Sequence, residues 1–114
     1  LFSWIANIFS RPEQEVVLEN AWERSAPSPG SSWTDILQSP AFRQFCGPAG
    51  SLYSRQLNDD VHLVFGLFID WFNPGGNKKA GKSRSLGAMY LVCYNFPPEV
   101  RFRPENLCLL GIIP

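Results

Sequence analysis

The period of the apolar positions changes near residue 61. Before it, Leu1, Trp4, Ile5, Ile8 and Phe9 recur at helical spacing with Ser3 and Asn7 opposite them, which predicts a short amphipathic helix. Ser10-Arg11-Pro12-Glu13 has the pattern of a capping box, with proline at an early helical position, and predicts a second helix through about Arg24. Val17, Leu18, Ala21 and Trp22 would form its apolar side. Residues 25–32, SAPSPGSS, read as a loop by composition. Ser32-Trp33-Thr34-Asp35 offers another capping pattern, opening a short helix through Leu37. Ser39-Pro40 starts one more turn carrying Phe42 and Phe45, which Gly47-Pro48 stops.

From Val61 the run VHLVFGLFI is almost continuously apolar, rich in Val, Phe and Ile, and closed by turn residues after Asp70. That is the signature of a strand buried on both faces, ending in a carboxylate. Burying its seven apolar side chains would contribute at most roughly 10–20 kcal/mol. A second strand-like run spans about Leu86 to Phe96 and stops at Pro97-Pro98, and a third covers Leu107 to Ile113. The connections carry no clear helix, so the three runs imply an antiparallel meander. The expected fold class is α+β, with a helical N-terminal region over residues 1–60 and the three-stranded antiparallel meander over residues 61–114.

Composition narrows the function classes without choosing one. A chain of 114 residues with 45% apolar and 18% charged side chains is of ordinary globular balance and large enough for one domain. Ten basic and ten acidic residues cancel, so any claim on nucleic acid must rest on local clustering. The three cysteines, Cys46, Cys93 and Cys108, form no C-x-x-C pair, and the single histidine, His62, has no ligand-like neighbours. This argues against a disulfide framework or a zinc module and favours buried, reduced thiols. No stretch reaches the roughly 18 apolar residues that a membrane span needs, so no membrane association is expected. The apolar opening LFSWIANIFS lacks the basic and small-residue flanks of a signal peptide. A start without Met and a stop on a core strand suggest a piece of something longer.

Three features could carry chemistry. Asp70, at the end of a buried strand, would be costly to hold there without compensation, and a metal ion is one form of compensation. The plainer reading is a turn aspartate capping its own backbone. The segment Gly76-Asn77-Lys78-Lys79-Ala80-Gly81-Lys82-Ser83 matches the phosphate-loop pattern G-x-x-x-x-G-K-S. Nucleotide binding there would require a strand just before it and a helix just after. Here Asn73-Pro74 separates it from the first strand, and Ala88 to Phe96 is apolar nearly all round, unlike a surface helix. Lys78, Lys79, Lys82 and Arg84 form the one basic cluster, either a solvated hairpin loop or a set of contacts to a phosphate backbone. His62, alone in an apolar run, reads as a packed or hydrogen-bonded residue.

Several short motifs in fixed order carry a resemblance. They are Ile69-Asp70-Trp71-Phe72-Asn73-Pro74, Gly76-Asn77-Lys78, Leu86-Gly87, Tyr94-Asn95-Phe96-Pro97-Pro98, Arg103-Pro104-Glu105-Asn106 and Gly111-Ile112-Ile113-Pro114. Together they resemble the transposase family of CACTA (En/Spm-like) DNA elements. Trp71 after the aspartate and the Asn-Lys loop look more like its fungal branch than its plant branch. The resemblance covers residues 61–114 strongly and residues 33–60 loosely.

It implies a ribonuclease H-like core that begins with three antiparallel strands and has three metal-binding carboxylates. Asp70 matches the first of them, as a catalytic residue and a ligand of Mg²⁺ (or Mn²⁺). It also implies transposon-end DNA as partner and an intracellular, nuclear location. The remaining acidic residues should lie beyond the third strand, where this chain stops, so the fragment alone is expected to be inactive and to hold no cofactor tightly. The alternatives are a non-catalytic DNA-binding or scaffold protein, with the Lys78–Arg84 cluster as its contact, and nucleotide binding through Gly76–Ser83.

Overall fold

The computed structural model describes residues 1–55, 60–74 and 85–114. Short helices come first: α1 (Phe2–Phe9), α2 (Pro12–Glu19), α3 (Ala21–Arg24), a 3-10 turn (Ile36–Gln38) and α4 (Pro40–Arg43). Strands β1 (Phe65–Phe72), β2 (Leu86–Cys93) and β3 (Leu107–Ile113) come after them, with α5 (Pro98–Arg101) and a second 3-10 turn (Pro104–Asn106) between the last two. The strands form one antiparallel sheet in the order β1-β2-β3. The fold is therefore α+β with an antiparallel meander.

The helix signals act a few residues from where the sequence suggests. Ser10 does not cap α2; its hydroxyl donates to the Asn7 carbonyl at 2.8 Å and closes α1, leaving Arg11 as the N-cap and Pro12 in the first turn. The expected single helix to Arg24 breaks at Asn20, whose side-chain amide donates to the Val16 carbonyl at 2.9 Å. Asn competes for backbone partners in this way, which is why it favours helix ends. A complete capping box forms instead at Asp35. Its Oδ1 accepts the Leu37 N–H at 2.9 Å, while Gln38 Oε1 accepts the Asp35 N–H at 3.2 Å.

The helices grip the sheet at one end, from both faces. Ile8, Leu18, Cys93 and Phe96 form one buried cluster, with Trp4 packed 6.1 Å, ring to ring, from Phe65. Ala21, Trp22 and Leu37 form the other, with Val64, Tyr53 and Tyr94 against them. Between the two lies the segment after β2. Buried Asn95 accepts the Val64 N–H at 2.8 Å and donates to the His62 carbonyl at 2.9 Å. Arg24 donates to the Asn95 carbonyl at 2.6 Å. Arg101, also buried, donates to the carbonyls of Phe96 (3.0 Å) and Tyr94 (2.5 Å), meets Asp35 at 2.8 Å and lies over the Tyr94 ring.

Two sequence expectations fail on β1. The strand starts at Phe65, not Val61, because the backbone of residues 62–64 is bound by side chains as well as by strand-like partners: the His62 carbonyl takes Trp22 Nε1 (3.0 Å) as well as Asn95. Nor is the run buried on both faces. Leu67, Ile69 and Trp71 are 60%, 49% and 57% exposed on one face, and Leu109 and Ile112 of β3 are exposed on the other. The apolar run reports a demand for burial, and the short helices cover only the end near Phe65 and Cys93. The radius of gyration, 17.8 Å, accordingly exceeds the value of about 13 Å usual for a compact domain near this size.

Replacing Arg101 by Ala is expected to lower unfolding free energy in urea by about 3–5 kcal/mol, because it strands the Asp35 carboxylate in the interior. Adding Asp35→Asn to that variant should restore part of the loss. The bare end of the sheet should bind a hydrophobic dye and self-associate. The pair Leu67→Thr and Leu109→Thr should reduce both, as read by dye fluorescence and light scattering, with little change in the urea midpoint.

Candidate functional site

Asp70 lies within β1, not at its tip. It stands opposite Ala88, and the ladder continues through Trp71–Gly87 and Phe72–Leu86. The extension fits the local sequence, since Gly87 leaves room for the Trp71 indole; a Cβ there would meet the ring at 3.2 Å. Alternation puts the Asp70 side chain on the face shared with Phe68, Phe72 and Tyr90, where Phe68 stacks on Tyr90 at 5.8 Å and meets Phe102 edge-on at 6.1 Å. The carboxylate is exposed and has no hydrogen-bond or ion-pair partner among the described residues. Asp70 is therefore not a buried charge in need of compensation, because its carboxylate is open to solvent.

No group of three His, Cys, Asp or Glu side chains able to hold a metal occurs among the described residues. Lys78, Lys79, Lys82 and Arg84, and the whole Gly76–Ser83 segment, lie outside the described residues. The chain next forms strand β2 from Leu86, paired on both sides. A phosphate loop needs a helix N-terminus at that point, so the nucleotide-binding reading lacks its structural frame.

The other sequence candidates are structural. His62 Nδ1 lies 2.7 Å from the Tyr53 carbonyl, which fixes the proton on that nitrogen, and its ring stacks on Tyr53 at 4.6 Å. All three thiols are free; Cys93 and Cys108 are buried as expected, but Cys46 is exposed. Burial pushes the Cys93 thiol up to about 11. Sequence reasoning missed an apolar cleft of about 360 Å³ between α4 and the lead-in to β1, lined by Phe42, Phe45, Tyr53, Leu63 and Phe65 among others. Only the density of aromatic residues over 42–53 hinted at it. Its one side-chain hydroxyl, on Tyr53, donates to the Leu63 carbonyl at 3.0 Å, which leaves only the phenol oxygen as an acceptor.

Comparison with protein-family models, with curated proteins and with solved structures found no match to this chain. Among the described residues, no helix is long and apolar enough to cross a membrane.

Two thiol measurements test this geometry. At pH 8, Cys46 should react with a disulfide reagent in the native protein, while Cys93 and Cys108 should react only at the rate of unfolding. The native state also holds the Cys93 proton more tightly than the unfolded chain, whose thiols titrate near pH 8.5. Its contribution is therefore complete below about pH 8.5 and is lost as pH rises through about 11. The urea midpoint should fall across that window, and Cys93→Val should flatten the fall.

Proposed function

We propose that this chain is part of a DNA transposase of the CACTA class. Its three strands would open a ribonuclease H-like core, with Asp70 the first of the metal-ligating carboxylates. The observation that carries the reading is the coincidence of two things. The ordered motifs from Ile69 to Pro114 resemble that family, and the aspartate they single out sits on the first strand of an antiparallel meander with its carboxylate exposed and unpartnered among the described residues.

An exposed carboxylate is a hard oxygen donor and fits one ligand position of Mg²⁺ or Mn²⁺. It does not make a site alone, because Mg²⁺ requires near-octahedral oxygen coordination. Further acidic residues of the parent protein would complete the set. The metals, when bound there, would stabilise the attacking and leaving oxygens of a phosphodiester. Asp70 would orient one of them, and the aromatic side chains on its face would border the site. Lys78, Lys79, Lys82 and Arg84 would meet the phosphate backbone of transposon ends, a partner attracted by charge and not read by sequence.

The chain alone should cleave no DNA with Mg²⁺ or Mn²⁺. In the parent protein, Asp70→Asn should reduce excision by more than the roughly 10–100-fold that losing an outer partner of a metal site costs. Because Asp70 has no partner to lose among the described residues, its thermal unfolding should be unchanged. Excision at the wild-type rate in that variant removes Asp70 from the metal site. Lys78→Ala, Lys79→Ala and Lys82→Ala together should weaken DNA binding by the chain and flatten its salt dependence by about 0.9 log units for each phosphate no longer neutralised. Absence of binding at low salt overturns the role of the lysines and leaves that of Asp70 untouched.

A further inference from the structure

We draw no further inference here: the strongest candidate, the bare apolar face on the distal half of the three-stranded sheet around Leu67, Ile69 and Trp71, carries nothing, because nothing in the structure shows what covers it.

Discussion

The junction between helices and sheet depends on two polar side chains that replace missing backbone partners. Asn95 continues the β1–β2 ladder past its end, presenting an amide to Val64 and His62 where a further strand residue would have done so. Arg101 gathers the carbonyls of Tyr94 and Phe96 and the Asp35 carboxylate around one guanidinium. Buried polar groups of this kind stabilise only when nearly every valence is filled, and each of these has several partners. The ion pair joins positions 66 residues apart, so the N-terminal helical turns are tied to the sheet by more than apolar packing.

That arrangement decides what could be read in advance. The strand runs, their antiparallel order and the short helices were legible from period and punctuation, because those signals are local. Strand limits were not, because Phe65 rather than Val61 begins β1 for a reason located at Asn95 and Trp22, dozens of residues away. The capping pattern at Ser10 was locally valid and lost to a competing bond with Asn7, and the one read from Ser32 to Asp35 formed three residues later, with Asp35 as the cap and Gln38 as its partner. Burial was the poorest inference. A continuous apolar run is the same string of letters whether or not other elements cover it.

Asp70 shows the limit more sharply. In the sequence its importance rested on a buried strand end and on the resemblance carried by the motifs around it, and the fold gives it neither burial nor an end. What remains is its place on the first strand and the company of the motifs around it. The aromatic residues beside it, Phe68, Phe72 and Tyr90, were visible in the sequence, but only the register shows that they share its face.

The grip of the helices on both faces of one end makes the sheet a lever clamped there. Near the clamp, Val92 and Cys93 are sealed from water, whereas Trp71 and Ile112 project beyond it. Among the described residues burial falls away from Val92 and Cys93 toward Trp71 and Phe72, so opening costs least at that end, since local stability follows local burial. Asp70 rides on the free arm. Chemistry that tolerates errors of only about half an ångström would call for more packing on that arm than its exposed faces have among the described residues.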